Sequence, residues 1–286
     1  MSQQRGQDQV PAQRIESLLQ DRFGERLHVD PDLAGLEHVE SIVKHRVIRR
    51  YSARPVEESL LRLICACALS APSKSDLQQR DVLVVRDTQI RGEIAALLPD
   101  MPWIGHAPCF LVFLANGRRI PALSEARGKP FPNNHLDLLF NATADAALAL
   151  ANAVMAANAV GLGSCPISVV RDHAERISEL LALPDRVIPL AGLCLGWPAD
   201  PGRLSPRLPL GLTLHVDQFN DTDLLSHIEA YDAQRNALGP YRTQRDSARW
   251  GESDRYGWSE DKVRQYAVPQ RTEFGDYVRR RGFSTT

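Results

Sequence analysis

The spacing of apolar positions divides the chain into alternating helices and strands. Ile15, Leu18, Leu19 and Phe23 fall on one face of a helix predicted over 11–23, and Gly24 stops it. A loop containing Pro31 leads to a second short helix near 39–45. Leu60, Leu61, Ile64, Cys67, Ala68 and Ala71 keep helical spacing until Pro72. The runs DVLVVR (81–86) and CFLVFLA (109–115) have no polar face and read as buried strands. From 136 to 160 a long alanine-rich helix places Phe140, Ala144, Ala147, Leu148, Ala151, Val154, Met155 and Asn158 on one face, as a central or subunit-contacting helix requires. Gly161 and Gly163 end it. Strands are predicted at 164–170 and 188–195, with a shorter one at 213–216. Asp172 with Glu175 resembles a capping box for a helix to about 182, and a further helix covers 222–238. Beyond it the chain turns polar and arginine-rich, broken by Gly239, Pro240, Gly251, Gly257 and Pro269, and reads as an arm outside the core. The first ten residues read as disordered.

This mixed rhythm, with helices long enough to cover both faces of one sheet, predicts an α/β or α+β sandwich. The 286 residues, 43% hydrophobic, suffice for one large core or two modest ones. A net charge of −1 supplies no general cationic field for nucleic acid or an anionic membrane. No run approaches the ~18 apolar residues of a membrane span, and the polar start MSQQRGQDQVPAQR lacks a signal-peptide core. Five cysteines (65, 67, 109, 165 and 194) without a CxxC pair read as buried, reduced thiols of a cytoplasmic protein rather than metal ligands.

Against this neutral background, KHRVIRRY (44–51) concentrates four cations in seven residues. Alone it suits either a basic helix end or an oxyanion site, because arginine forks bond phosphate bidentately. Likewise Ser73-Lys-Ser-Asp-Leu-Gln78 is either a polar connector or a loop able to satisfy a polar ring edge. Ser205-Pro-Arg-Leu-Pro209 is a proline-stiffened turn that fixes Arg207.

In order along the chain, these pieces resemble the nitroreductase/flavin reductase superfamily. Arg46-Val-Ile-Arg49-Arg-Tyr51 stands for its opening basic segment, and Ala71 to Gln78 for its small polar loop. Pro189–Pro198 with Pro206-Arg-Leu-Pro209 looks like the oxygen-insensitive, NADPH-dependent branch. The resemblance covers about 40–238. It implies an α+β nitroreductase-like fold: a mixed, mainly antiparallel sheet flanked by helices, in a domain-exchanged homodimer with an extended C-terminal arm. The implied division is an N-terminal extension (1–37), an FMN-binding domain (38–238) and the arm (239–286).

By the same resemblance His45 and Arg46, joined by Arg207, hold the FMN phosphate, with Val47 and Ser205 in their motifs. Arg49 sits by the N1/O2 edge, where a cation stabilises charge that develops on reduction. Ser73, Lys74, Ser75 and Gln78 bond the ribityl chain and pyrimidine edge. Met101, Pro166, Ile167, Ser168 and Val169 stand where the family places residues against the ring. The chain departs from the pattern at Val47 (serine in the family), Ser205 (lysine), Met101 (glutamine) and Ser168-Val169 (a glycine pair). Arg242 and Arg245 are carried over to NADPH, and Trp103 and Phe131 to the substrate cavity.

The reaction implied is ping-pong transfer of hydride from NADPH or NADH through FMN to a nitroaromatic, quinone or flavin, with no side-chain nucleophile. No GxGxxG follows a strand to cradle a pyrophosphate, so FMN is expected rather than FAD. The expected partners are a small-molecule electron acceptor and a second copy of the chain, with no metal, nucleic acid or membrane. Two alternatives stay open: an FMN enzyme with a specialised pathway substrate, and a flavin-binding protein with little turnover.

Overall fold

Residues 10–286 are described in a computed structural model. The expected N-terminal disorder lies, for 1–9, outside the described residues. In chain order the helices and strands are α1 (Pro11–Phe23), α2 (Leu36–Val43), α3 (Glu58–Leu69), β1 (Arg80–Val84), α4 (Thr88–Leu97), α5 (Trp103–His106) and β2 (Cys109–Asn116). Then follow α6 (Arg119–Ala126), α7 (Leu136–Ala159), β3 (Gly163–Ile167), α8 (Ala174–Leu180), β4 (Val187–Gly196) and α9 (Leu210–Thr213). The last are α10 (Leu224–Leu238), α11 (Ser247–Trp250), α12 (Trp258–Tyr266) and α13 (Phe274–Arg280). They form two compact units, one of Met1–Lys44 with Leu204–Gln270, the other of His45–Arg203 with Arg271–Thr286.

The second unit holds the sheet, ordered β1-β2-β4-β3 with every neighbouring pair antiparallel. The only parallel pairing among the described residues is an isolated bridge between Val47 and Ser164. The central strands β2 and β4 are buried along almost their whole length, as their unbroken apolar runs require. Alternate residues of β2 serve opposite faces. Phe110, Val112 and Leu114 pack with Ile94, Ile104, Ile167 and Ile177. Leu111 and Phe113 pack with Leu61 and Ile64 of α3 and with Ala149, Ala153 and Ala157 of α7. Pro189 is tolerated in a central strand because the register shifts beside it, between Phe113 and Leu114 of the partner.

Alanines at 142, 146, 149, 153 and 157 form the buried side of α7. The predicted face is the other one, and it is largely open: Phe140 is 71% and Leu148 43% exposed. At 24 residues α7 is also long and apolar enough to cross a membrane by length and composition, which corrects the sequence expectation. Alanine explains the difference, since it raises the mean hydropathy of the helix while being too small to stand out as an apolar run. The helix packs on the sheet and carries a buried carboxylate, Asp145.

The segment expected as an arm is structured and divided between the units. Tyr277, Val278 and Phe283 are buried with Ala115, Leu138, Ala142 and Ile188. Their apolar side chains are diluted by arginines, so the spacing hides them. In the other unit Ala12, Ile15 and Leu36 form a small core between α1 and α2. Arg22 caps Val43 O at 2.7 Å and Ser205 O at 3.2 Å. Tyr231 packs edge-on to Trp258, with ring centres 5.5 Å apart.

Three local predictions are replaced. Ser168–His173 is a 3₁₀ turn, not the end of a strand. The capping box is absent because Asp172 pairs with Arg271 instead (2.5 Å), and α8 begins at Ala174. Leu214 and Val216 are exposed after a short helix and belong to no strand among the described residues. All five cysteines are free, but only Cys165 and Cys194 are buried; Cys65, Cys67 and Cys109 are half-buried.

Candidate functional site

The basic segment is held by one apolar side chain. Ile48 is 5% exposed, and its N–H donates to Ser164 O at 2.9 Å. Glycines leave room for it: a Cβ on Gly163 would stand 2.7 Å from the Ile48 Cβ, and one on Gly202 would stand 2.7 Å from its Cδ1. Downstream, Ser52 N–H donates to Trp197 O (2.8 Å) and Ala199 N–H to Arg50 O (3.0 Å). The Tyr51 hydroxyl lies 2.7 Å from Ile48 O and 3.3 Å from Cys194 O. Burial pushes the Tyr51 phenol far up, so it remains a donor.

With Ile48 pinned, the flanking arginines acquire different roles. Arg50 is taken by Asp200 at 2.9 Å. The Arg49 guanidinium lies 5.3 Å from the centre of the Trp103 ring, a cation–π contact, and hydrogen-bonds the buried Cys165 thiol, while the residue as a whole stays exposed. Arg46 donates through Nη1 to Pro201 O at 3.3 Å, while its Nε is buried with no partner among the described residues. An unmet buried donor of a charged group costs about 1–3 kcal/mol or more. Such a donor suits an anionic ligand. Val47 is exposed beside them.

The loop from Ser73 to Gln78 enters β1. Ser75, Asp76 and Gln78 all have left-handed backbones (φ 49°, 55° and 51°), which is unusual for residues other than glycine. Lys74, Ser75 and Gln78 are exposed. Ser73 is not: its hydroxyl donates to Asp145 at 2.7 Å and accepts from Gln78 N–H at 2.7 Å. A cavity of about 480 Å³ beside the loop is lined by Asp76, Gln78, Arg80, Asp81 and Arg119 among others.

The remaining expected residues are spread out. Pro166 and Ser168 are exposed at the edge of the sheet; Ile167 is buried, and Val169 is half-buried against the same core as Met101 and Trp103. Phe131 packs on a different cluster and borders a smaller cavity of about 200 Å³ with Lys74 and Gln79, so it is not beside Trp103. Ser205, Arg207, Arg242 and Arg245 belong to the other unit. There Arg207 turns back on Ser205 O and Pro206 O, both at 3.1 Å. Arg242 is exposed, and Arg245 lies 3.4 Å from Asp261.

Residues 42–197 match the model of the Nitroreductase family, and 205–286 match that of the Nitroreductase family, C-terminal domain. The chain belongs to the nitroreductase family. It is similar to a protein of Bacillus subtilis (strain 168) named FMN reductase [NAD(P)H], with 38% identity over 221 residues, 76% of this chain and 89% of that one. It is also similar to the oxygen-insensitive NADPH nitroreductase of Salmonella typhimurium (strain LT2), with 33% identity over 86% of this chain and 98% of that one. Among solved structures, NfrA2 of B. megaterium superposes with a TM-score of 0.79 at 30% identity, covering 87% of this chain and 99% of that one.

Within this nitroreductase-family chain, sequence reasoning passed over one residue that organises the loop. Asp145 is 1% exposed and receives three hydrogen bonds from residues 73–79. The signal was present in the sequence: Asp145 is the only charged residue between 138 and 159.

Proposed function

We propose that the chain is an FMN-dependent NAD(P)H oxidoreductase that reduces small-molecule acceptors such as nitroaromatics, quinones or flavins. The observation that carries this reading is the basic segment, where Ile48 is buried, Arg50 is neutralised, Arg46 keeps an unmet buried donor and Arg49, with no carboxylate partner among the described residues, is exposed. A terminal monophosphate suits Arg46 and His45, and a polar ring edge suits Arg49 with Lys74, Ser75 and Gln78. When bound, FMN supplies the redox chemistry, taking hydride from NAD(P)H and passing reducing equivalents on. The chain's residues bind and orient it, and Arg49 sets the electrostatic environment of the ring. Arg207 (phosphate), Arg242 and Arg245 (NADPH) are assigned on sequence motifs.

The protein is proposed to act as a homodimer in the cytoplasm. The open face of α7, with Leu136 51% and Phe140 71% exposed, is an apolar surface that a lone protomer would leave wet. The free cysteines suit a reducing compartment. Cofactor released from the purified protein by heat should run as FMN on chromatography. Release of FAD, or of no flavin after reconstitution with FMN, would overturn the reading.

A further inference from the structure

A loop with three left-handed, non-glycine residues persists only where its surroundings over-determine it. Here the surroundings are two buried charges. The Asp145 carboxylate on α7 accepts from the Ser73 hydroxyl (2.7 Å), Lys74 N–H (3.1 Å) and Gln79 N–H (2.8 Å). Arg80, 5% exposed, lies 3.6 Å from the same carboxylate. Its Nη2 donates to Leu69 O (2.7 Å) and Ala71 O (2.9 Å), the carbonyls where α3 runs into the loop. The carboxylate thus gathers the donors at both ends of the loop, and the guanidinium gathers the acceptors ahead of it. A buried ion pair is a poor way to gain stability, because apolar side chains of equal volume do as well. Its advantage is a fixed geometry.

We propose that Asp145 is a positioning residue for the flavin ring, acting through the Ser73–Gln78 loop. The inference rests on the FMN reading and assigns the loop's parts. Ser73 is an internal link, its hydroxyl occupied on both sides. Lys74, Ser75 and Gln78 are the side chains that the clamp presents outward. Arg46 belongs to a separate anchor, so damage to the clamp should leave phosphate recognition alone.

The test uses the full chain, wild type and Asp145→Asn, titrated with FMN and with riboflavin, which lacks the phosphate. The asparagine amide would set an N–H against the N–H groups of Lys74 or Gln79. Both flavins should weaken by the same factor, roughly tenfold, the lower end of what is lost when residues that orient a metal's ligands are replaced. The reduction potential of bound FMN should shift, and hydrogen exchange should rise over 72–80. A merely structural role would lower the unfolding midpoint and leave flavin affinity and potential unchanged; that result overturns the proposal. So does a loss confined to FMN, which would place the effect at the phosphate. If Asp145→Asn does not fold, Ser73→Ala decides, since it keeps the ion pair and removes one link: a several-fold equal loss for both flavins is expected, and unchanged affinity overturns. Wild-type protein that binds neither flavin would overturn the functional reading and this inference together, whereas equal binding by wild type and variant overturns the inference alone.

Discussion

The contact between Gly163 and Ile48 is the point on which the basic segment's placement turns. An alanine at 163 would bring its Cβ to 2.7 Å from the Ile48 Cβ and 2.8 Å from both Cγ atoms. Normal contact needs about 3.5–4.0 Å, and a Cβ cannot swing aside as a side-chain tip can. The 47–49 backbone must therefore move by about an ångström, at the expense of the 2.9 Å bond from Ile48 N–H to Ser164 O. Overpacking of this kind costs ~1–3 kcal/mol, and the weakened hydrogen bond adds about 1 kcal/mol. Gly163→Ala alone should thus lose about 2–4 kcal/mol in urea unfolding. Ile48→Ala should lose a similar ~2–4 kcal/mol through the cavity it leaves. The double variant should cost less than the sum of the two, because Ile48→Ala removes both Cγ contacts while keeping the Cβ that stands 2.7 Å from the new methyl, giving a partial rescue with a coupling of ~1 kcal/mol. FMN affinity should follow the same pattern, since Arg46 and Arg49 flank Ile48. Additive losses would refute this packing account.

The arginines should fail differently. Arg46→Ala removes charge-assisted bonds worth ~1.5–3 kcal/mol and should weaken FMN about ten- to a hundredfold, whereas Arg49→Gln should lower the flavin potential and slow hydride transfer at less cost in affinity; identical behaviour in titration and potentiometry argues against separate roles. The hydrogen bond and charge of Arg14 hold Glu40 below the usual carboxylate range. Its contribution to stability is therefore complete above the unfolded value of ~4.3 and is lost as pH falls through the lower folded value. Glu40→Gln should destabilise near pH 7 and flatten that acid limb, which unfolding measured from pH 7 to 3 will show. Burial raises the Cys165 and Cys194 thiols, so alkylation of the native protein at pH 8 should spare both; rapid labelling of either would contradict their packing.

Much of the fold was legible because strong periodicity and unbroken apolar runs have few alternatives. CFLVFLA, short and rich in Val, Leu and Phe, reads as a buried strand, and β2 is one. The direction in which α7 faces was not legible, because Ala142, Ala146 and Ala149 are as apolar as the half-buried Ala144 and the open Ala147 and Ala151. Periodicity finds an apolar face without saying what covers it. Tyr277, Val278 and Phe283 were missed because neighbouring arginines break the pattern in sequence but point elsewhere in space. At the site, motif order brought out Arg46, Arg49 and the 73–78 loop. It could not sort Arg50 from Arg49, since the Asp200 that neutralises Arg50 is 150 residues away. Nor could it show that the Ser73 hydroxyl turns inward to Asp145.

The central claim, that this chain binds FMN and passes hydride equivalents from NAD(P)H, is tested by one absorbance spectrum of the purified, FMN-reconstituted protein before and after anaerobic addition of NADPH. A protein-bound flavin spectrum that bleaches on NADPH, and returns when a nitroaromatic or quinone is added, is the predicted result. A colourless protein, or a bound flavin whose spectrum NADPH and NADH leave unchanged, would contradict it.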